Sequence, residues 1–306
     1  MTALRAHRRG GPEVLVVERA PVPAPAEGEV LVAVHSAAIT FDELTWEETW
    51  SHGTPVIPSH EVSGVVAEVR DGVTDLAPGD EVFGLIRFDR DGAAAEYVAA
   101  PAADLAARPT TVSHVVAAAL PLAGLTALQA LVDHADVQPS ERVLVLGGAG
   151  GVGALTVQLG HLLGAHVTAT VRSDVAELVR QRGATRVIDT RTQAFDETQD
   201  RYDVVIDTVG GDALGRAFSV LRRGGRLITL SAPPPDGLAE EFGVQATFFI
   251  VTPDRDQLVR LAGLVDSGRL DVTIADIFPL EQGQQAFESG QAAIRRAGKT
   301  VLAVRD

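Results

Sequence analysis

The chain of 306 residues contains no cysteine, and it has only two tryptophans, two tyrosines and one methionine. Without cysteine it cannot form a disulfide, use a thiolate nucleophile or hold a metal through thiolate ligands. Positive charge is also scarce, since 26 lysines and arginines face 41 aspartates and glutamates, for a formal net charge of -15. This balance argues against a nucleic-acid partner, because binding a polyanion needs a basic face.

Long hydrophobic runs are missing as well. No uninterrupted stretch of about 18 apolar residues occurs, so the sequence predicts no membrane association. The most apolar stretch, residues 143–171, is interrupted by glycines and two histidines. The basic residues 1–10 are not followed by the apolar segment that a signal peptide needs. From these absences we expect a cytoplasmic protein.

Two patterns of secondary structure follow one another along the chain. The first third has short predicted strands, such as residues 29–34 and 61–69, separated by turn signals such as Pro78-Gly79-Asp80. This pattern is typical of a compact β-barrel. From Arg142 onward, strands and helices alternate, which predicts a parallel sheet with helices on both faces.

The strongly apolar segment 244–251 is predicted to form a strand near the end of the alternating region. Two interpretations fit it equally well. It can be an exposed sheet edge that needs a partner, which favours a homodimer, or it can be an ordinary buried strand. On the first interpretation a homodimer is the expected assembly.

A glycine-rich run, residues 147–153, follows the predicted strand 142–146 and opens a predicted helix. It fits the G-x-G-x-x-G pattern of dinucleotide-binding loops, and the strand–loop–helix context makes the match informative. Such glycines permit a tight turn, close approach of the backbone to a pyrophosphate and close packing of helix on strand. A glycine-rich structural turn is the alternative. The residues predicted to hold the phosphates at the start of the helix are Gly148, Gly150, Gly151, Val152 and Gly153.

The end of the next predicted strand indicates which dinucleotide binds. An NAD site usually has an acidic residue there to hold the ribose hydroxyls, but this chain has Val171, followed by Arg172 and Ser173. A guanidinium and a hydroxyl both suit a 2′-phosphate, so the sequence favours NADP(H). Asp174 argues the other way, and we interpret it as a stabilising charge for the first turn of the following helix.

Segments spread over the whole chain resemble the zinc-independent quinone oxidoreductase branch of the medium-chain dehydrogenase/reductase (MDR) superfamily. In chain order they read RGGPEVL, GEVLVAV, HEVSGVV, APGDEVFG, PLAGLTALQAL, GGAGGVG, DVVIDTVGG and GKTVL. No single segment is decisive, but their order is specific. The resemblance implies an α/β fold in which a Rossmann doubly wound parallel sheet is inserted in a GroES-like β-barrel catalytic domain.

The resemblance also implies domain limits and further cofactor contacts. Residues 1–114 and 252–306 would form the GroES-like catalytic domain, and residues 115–251 the Rossmann dinucleotide-binding domain. The additional residues that the resemblance places near the cofactor are Thr126, Thr208, Val209, Ser231, Phe248, Phe249 and Ile250.

Zinc-dependent members of the superfamily have a cysteine at the position of Thr40 and a histidine–glutamate pair at that of His60-Glu61. The pair is present here, but the cysteine and the cysteine-rich lobe that holds structural zinc are not. A metal site made of His60, Glu61, Asp42 and Glu43 is a weaker alternative, because the ligand set is incomplete. A hydrogen-bonded pair is the preferred interpretation of His60-Glu61, and we expect no metal.

The resemblance implies hydride transfer from NADPH to a quinone or to the activated C=C bond of an enone, so that the partner is a small conjugated carbonyl compound or quinone. The substrate oxygen then takes up charge and needs a donor, and the α carbon of an enone needs a proton. Thr40 is a candidate donor, and a hydroxyl bonded to backbone is the equal alternative. Quinone reductases often have asparagine in place of Thr40 and aspartate near Glu43, so the natural substrate stays open.

Both tryptophans lie in the segment 40–52, together with carboxylates and a histidine. Aromatic rings suit the wall of a pocket for a flat conjugated substrate, and histidine is a common proton donor near neutral pH. The alternative is an amphipathic surface helix that packs its tryptophans on the barrel. The predicted catalytic residues are Thr40, Glu43, Trp46, Trp50 and His52.

A second hypothesis comes from the substitutions at Thr40 and Glu43. In it, the chain binds NADP(H) but performs no redox reaction, and acts as a cyclase or an accessory binding protein. NADPH consumption in the presence of quinones or enones would separate the two hypotheses.

Overall fold

The computed structural model describes residues 1–172, 174–197, 200–292 and 295–305. It divides into two compact units, which we call unit 1 (Met1–Leu125 with Thr252–Asp306) and unit 2 (Thr126–Val251). Unit 1 is therefore made of two separate stretches of sequence. None of the helices in the described ranges is both long enough and apolar enough to span a membrane.

The strands and helices are numbered in chain order. The strands are β1 Thr2–Ala6, β2 Leu15–Arg19, β3 Glu29–Ile39, β4 Glu61–Val69, β5 Glu81–Leu85, β6 Tyr97–Pro101, β7 Leu105–Ala107, β8 Arg142–Leu146, β9 His166–Val171, β10 Arg186–Asp189, β11 Tyr202–Asp207, β12 Leu221–Thr229, β13 Gln245–Phe248, β14 Ile274–Pro279 and β15 Lys299–Ala303. The α-helices are α1 His114–Ala118, α2 Pro121–Leu128, α3 Gly151–Leu162, α4 Ala176–Gln181, α5 Asp212–Ala217, α6 Leu238–Phe242, α7 Arg255–Asp266 and α8 Gly283–Glu288.

Unit 1 is built on a mainly antiparallel sheet in the order β14-β15-β3-β4-β5-β7, with β6 also paired to β3. β3 is the longest strand and has three neighbours, which is why its sequence is apolar almost throughout. Successive side chains of a strand point to opposite faces, and alternate residues Val30, Val32 and Val34 accordingly enter one hydrophobic core with Val62 and Val82.

The register at the end of β3 brings distant residues together. β15 runs antiparallel to β3, with Thr300 opposite Ile39. One position further along this register, Lys299 lies beside Thr40. On the other side of β3, β4 begins at Glu61. The sheet therefore gathers three polar residues that are far apart in sequence.

Unit 2 contains six parallel strands in the order β10-β9-β8-β11-β12-β13. Counted along the chain this order is 3-2-1-4-5-6, that of the Rossmann fold, and the predicted doubly wound sheet is confirmed. β13 lies at one edge of the sheet and is partly exposed. That position agrees with the edge interpretation of segment 244–251, while the homodimer stays a prediction.

Unit 1 continues to Leu125, beyond the boundary predicted at residue 114. The reason is that α1 contacts β3 and β4 of unit 1. The change from strands to helices in the sequence therefore does not coincide with the change of compact unit. The second change of unit falls between Val251 and Thr252.

Candidate active site

The glycine-rich loop connects β8 to α3. Gly147 has a φ of +84°, a left-handed conformation that glycine adopts without strain, and Gly150 is the N-cap of α3. A Cβ on Gly153 would lie 2.1 Å from the carbonyl oxygen of Gly147. Only glycine therefore allows the first turn of α3 to lie this close to the loop, and the predicted strand–loop–helix arrangement is present.

Gly150 differs from Gly153 in what surrounds it. A Cβ there would contact only the carbonyl oxygen of Gly147, at an ordinary 3.5 Å. The space beside the N-terminus of α3 is thus open, and the first amides of a helix have no intrahelical acceptor. An open space at free amides fits the pyrophosphate of a dinucleotide, which Gly150, Gly151 and Val152 would hold.

The carboxyl ends of β9 and β10 carry two arginines. Arg172 is exposed and, within the described ranges, makes no hydrogen bond or ion pair, while Ser173 lies outside those ranges. Asp174 pairs with Arg191 at 2.7 Å, and Arg191 also binds Asp189 at the end of β10. The charge of Asp174 is therefore engaged by a side chain that the sequence analysis did not single out, rather than by the backbone of α4.

Buried Asp207 organises the loop that follows β11. Its carboxylate accepts hydrogen bonds from the backbone N–H groups of Val209 and Gly210, both at 3.0 Å. It also accepts from the hydroxyls of Thr229 at 3.2 Å and Ser231 at 3.4 Å. Two segments predicted to lie near the cofactor are thus held by one carboxylate that sequence reasoning missed. Its signal was an acidic residue that ends the apolar strand β11.

The other predicted cofactor residues also follow strand ends. The hydroxyl of Thr208 donates to the last carbonyl of β8 at 2.7 Å, and Val209 is 55% exposed. After β13, the ring of Phe249 packs against that of His134, with centroids 4.1 Å apart and the planes tilted by 33°, and Ile250 is exposed. In parallel α/β sheets ligands bind outside the carboxyl ends of the strands, and these residues lie at such ends.

Two residues of the predicted cofactor set have more enclosed positions. Thr126 is buried within α2. Phe248 is the last residue of β13 and is half-buried. Their part in cofactor binding stays a prediction.

A buried polar cluster lies at the end of β3 in unit 1. We call it the Lys299 cluster, and its members are Thr40, Glu43, Glu61 and Lys299. Glu43 and Glu61 are each 1% exposed and Lys299 is 8% exposed, whereas Thr40 is partly exposed. The ammonium of Lys299 forms an ion pair with Glu61 and donates to the Thr40 hydroxyl at 3.2 Å. The remaining oxygen of Glu61 accepts the backbone N–H of Leu122 at 3.0 Å.

Glu43 has a different electrostatic environment from Glu61. Its two oxygens accept the backbone N–H groups of Ser59 at 2.9 Å and Thr40 at 3.3 Å. Burial raises the pKa of the Glu43 carboxyl to about 8, with those two donors and Lys299 opposing the shift and the charge of Glu61 adding to it. At neutral pH the carboxyl is therefore mostly protonated.

Sequence reasoning missed Lys299, which entered only as one letter of the GKTVL segment. The sequence did contain a signal for this residue. Lys299 is the only lysine in the chain, and arginine occupies every other Lys/Arg position. The lone lysine also opens an apolar strand, an unusual place for a charge without a partner. What the sequence could not supply was the identity of its neighbours.

The segment that carries both tryptophans is not a single amphipathic helix, so that interpretation is wrong. It forms two short 3₁₀ turns, Glu43–Thr45 and Glu48–Trp50. Trp50 is buried in the core of unit 1, and its indole N–H donates to the carbonyl of Leu44 at 2.9 Å. The structure thus gives Trp50 a packing role.

The other predicted catalytic residues of this segment, Trp46 and His52, make their contacts outside the Lys299 cluster. Trp46 is half-buried and meets Phe88 edge to face, with centroids 5.4 Å apart. The ring of His52 is about a quarter exposed, and its Nε2 lies 3.4 Å from a carboxylate oxygen of Asp91. Only Thr40 and Glu43 of the five predicted catalytic residues belong to the Lys299 cluster.

His60 and Glu61 do not form the hydrogen-bonded pair that we expected. The ring of His60 is buried edge-on against Phe88, with centroids 5.0 Å apart, and neither of its nitrogens has a partner of normal geometry among the described residues. Burial lowers the pKa of His60 to about 4, and backbone groups of Ile86 and Arg87 oppose this only in part. The imidazole is therefore neutral.

The donor set does not fit a zinc ion. Across the described part of the chain, no group of three or more histidine, cysteine, aspartate or glutamate side chains is arranged to hold a metal. The ring of His60 packs edge-on against Phe88, and Thr40 stands in place of the cysteine of zinc-dependent relatives.

Two family models and several known proteins match this chain. The model of the alcohol dehydrogenase GroES-like domain matches residues 26–110, and that of the zinc-binding dehydrogenase family matches residues 182–302. A probable zinc-binding mitochondrial oxidoreductase of Arthroderma benhamiae is 33% identical, over 95% of this chain and 93% of its own. A chloroplastic NADPH-dependent alkenal/one oxidoreductase of Arabidopsis thaliana is 34% identical, over 91% of this chain and 73% of its own.

Solved structures are also similar to this chain. The quinone oxidoreductase from Coxiella burnetii superposes with a TM-score of 0.93 at 29% identity, and the match covers 100% of this chain and 99% of that one. Together with the parallel sheet, the glycine-rich loop and the GroES-like segment, these similarities show that the chain belongs to the quinone oxidoreductase branch of the MDR superfamily and is an oxidoreductase.

Proposed function

We propose that the chain is an NADPH-dependent reductase that transfers hydride to a quinone or to the activated C=C bond of an enone, and that it does so without zinc. The observation that carries the proposal is the open, amide-lined space at Gly150, next to a glycine-rich loop of dinucleotide-binding geometry. The names of the relatives support the same chemistry at about 30% identity.

The preference for NADPH over NADH rests on Arg172. Its guanidinium is exposed directly after β9, where the ribose of the cofactor is expected, and no described residue neutralises it. Arg191 follows the neighbouring strand β10, but it forms ion pairs with Asp174 and Asp189. A free guanidinium favours a phosphate over a ribose hydroxyl.

Bound NADPH supplies the hydride, and the protein supplies orientation and a proton. When hydride adds to the β carbon of an enone, negative charge moves to the carbonyl oxygen and then to the α carbon. The partly exposed hydroxyl of Thr40 is the donor we assign to this charge. Its backbone N–H donates to an oxygen of the Glu43 carboxyl at 3.3 Å, which holds the main chain in place.

The test is NADPH consumption with a panel of quinones, enones and enoyl thioesters, run with both cofactors and with a chelator. We expect turnover with at least one acceptor, a preference for NADPH and no effect of the chelator. No NADPH consumption with any acceptor would favour the non-redox binding protein instead. Loss of activity on chelation that zinc restores would refute the metal-free mechanism.

The preference for NADPH over NADH can be tested with a single substitution. Arg172→Ala should weaken NADPH binding by about tenfold or more while leaving NADH binding unchanged, because one charge-assisted contact is worth roughly 1.5–3 kcal/mol. Titration of each cofactor by fluorescence measures the ratio of the two dissociation constants. Arg180→Ala is the control, since Arg180 is an exposed cation of α4 paired with Glu177. An unchanged ratio in Arg172→Ala would refute the assignment.

A further inference from the structure

We infer that Glu61, Lys299 and Thr40 form a proton relay, in which Thr40 delivers a proton to the α carbon of the substrate and Lys299 restores it. The inference rests on the proposed function, because only a reduced C=C bond needs a proton on carbon. Thr40 is the catalytic residue of the relay, and Lys299 and Glu61 are positioning residues that act through it.

The relay has one buried end and one open end. Glu61 is 1% exposed and is anchored by the backbone N–H of Leu122. Lys299 follows, paired with Glu61, and its ammonium donates to the Thr40 hydroxyl at 3.2 Å. Thr40 is the member with the greatest exposure. A proton that leaves this chain of contacts toward a bound molecule must therefore leave from Thr40.

The presence of lysine rather than arginine at position 299 favours a role in proton transfer over a purely structural ion pair. The chain meets every other need for such a cation with arginine, and Lys299 is its only lysine. Arginine forms the better ion pair with a carboxylate but does not lose its proton in proteins. An ammonium can give up a proton and regain it, so the single exception occurs where a hydroxyl needs to be reprotonated.

The ammonium of Lys299 has two direct partners in the cluster, Glu61 and Thr40. The groups that face its ammonium are the carboxylate of Glu61, the hydroxyl of Thr40 and the carboxyl of Glu43. Because burial holds the pKa of Glu43 at about 8, that carboxyl is mostly neutral at pH 7 and Glu61 is the main counter-ion. Glu43 instead fixes the backbone N–H of Thr40, which orients the hydroxyl.

Each turnover forms two new C–H bonds on the substrate. Hydride from NADPH forms the new C–H bond at the β carbon, and the electron pair of the C=C bond becomes that of an enolate. The O–H bond of Thr40 breaks as its proton forms the new bond at the α carbon, and Lys299 transfers a proton to the Thr40 oxygen. The neutral amine of Lys299 then takes a proton from water, so that one NADPH and one proton are consumed for each C=C bond.

The first experiment compares two acceptors in one variant. Thr40→Val removes the hydroxyl at nearly constant volume, and we expect kcat with an enone to fall about 100-fold, as general acids contribute at least that much. With 1,4-benzoquinone, which accepts hydride but takes its protons on oxygen, where they exchange directly with water, the loss of kcat should be at least about tenfold smaller. Thr40→Ser should restore enone turnover, and Thr111→Val serves as a hydroxyl-removing control in unit 1, where Thr111 binds Asp266.

The second experiment separates a relay from a structural ion pair. Lys299→Arg keeps the charge beside Glu61, so a structural role predicts rescue, whereas the relay predicts the same loss of enone turnover as in Lys299→Met. Reduction of a 2-methyl enone in D₂O adds a further readout. The native enzyme should place deuterium on one face of the α carbon, and Thr40→Val and Lys299→Arg should give a mixture of both configurations.

Three results would overturn the inference: an equal loss with both acceptors, full enone activity in Lys299→Arg, or unchanged stereochemistry in Thr40→Val. A native enzyme that reduces quinones but no enone would also overturn it, since no carbon would need a proton. Failure of the proposed function is distinct, because the native enzyme would then consume no NADPH with either acceptor. If Lys299→Met does not fold, Thr40→Val and Lys299→Arg still decide the outcome.

Discussion

The loop 147–153 of unit 2 and the Lys299 cluster of unit 1 depend on opposite kinds of side chain. The loop works through side chains that are missing, since Gly153 makes room for backbone and Gly150 leaves space open. The cluster works through polar side chains that are buried, and each of them needs a partner to offset the loss of hydration. One site is contiguous in sequence, and the other is assembled from segments that start at residues 40, 61 and 299.

This difference decides how each site tolerates change. In the loop, tolerance to substitution is limited by steric contact. An added methyl group therefore lowers stability strongly or hardly at all, depending on its distance from the nearest atom. In the cluster the limiting factor is electrostatic, so the loss of one partner harms the others. Substitutions in the two sites should therefore differ both in the size of their effect and in the property that they change.

The largest effect is expected for Gly153→Ala. The new Cβ would lie 2.1 Å from the Gly147 carbonyl oxygen, so α3 or the loop must move, at a cost of more than about 4 kcal/mol, the upper range for point substitutions. Thermal melting and NADPH titration should show lower stability and lost binding. Gly263→Ala in α7 is the control, because nothing lies within 4 Å of its Cβ and stability should rise by about 0.5–1 kcal/mol. Equal melting temperatures would contradict the steric argument.

Lys299→Met should come next. It leaves Glu61 as a buried charge without its cation, and breaking a buried pair in this way costs about 3–5 kcal/mol. The double variant Lys299→Met/Glu61→Gln should regain part of that loss, since the amide oxygen can still accept the Leu122 N–H. Urea denaturation measures both. A double variant no more stable than the single one would show that the pair is not electrostatically coupled.

Glu43→Gln should change the pH dependence of stability. The pKa of Glu43 is about 8 in the folded chain, against 4.5 for an unperturbed glutamate. Its contribution to stability is therefore fully present below pH 4.5 and is lost as pH rises toward 8. Between pH 5.5 and 7.5 the loss should be about 2 kcal/mol. Denaturation at several pH values should give a flatter profile for Glu43→Gln and an unchanged one for the exposed control Glu241→Gln. Parallel profiles would mean that Glu43 is ionised in the folded state.

Gly150→Ala should have the smallest effect and a selective one. Its Cβ would meet a single atom at 3.5 Å, so the melting temperature should fall by no more than the modest cost of alanine in place of glycine at a helix N-cap. The methyl group would, however, occupy the space that the pyrophosphate approaches, and the dissociation constant of NADPH should rise about tenfold, or 1.4 kcal/mol. Titration and melting of the same sample test this. A fall in stability equal to that of Gly153→Ala would remove the distinction between the two glycines.

Much of the fold could be read from the sequence, because its evidence is local. Alternation of strands and helices after Arg142 indicated the parallel sheet, and the loop was recognisable from spacing within seven letters. Local reasoning failed where local signals conflict with packing. The spacing of Trp46 and Trp50 suggested a helix, but Trp50 is drawn into the core and the segment forms two 3₁₀ turns.

The class of fold, the nucleotide loop and the absence of thiolate chemistry follow from the amino-acid sequence, since these depend on composition and on contacts between near neighbours. Which buried charges meet follows only from the folded sheet. The antiparallel pairing of β15 with β3 places Lys299 against Thr40, and β4 adds Glu61 from the other side. The physical reason is that a buried charge is stabilised by whichever partner the sheet register brings within reach, and register is a property of the folded chain.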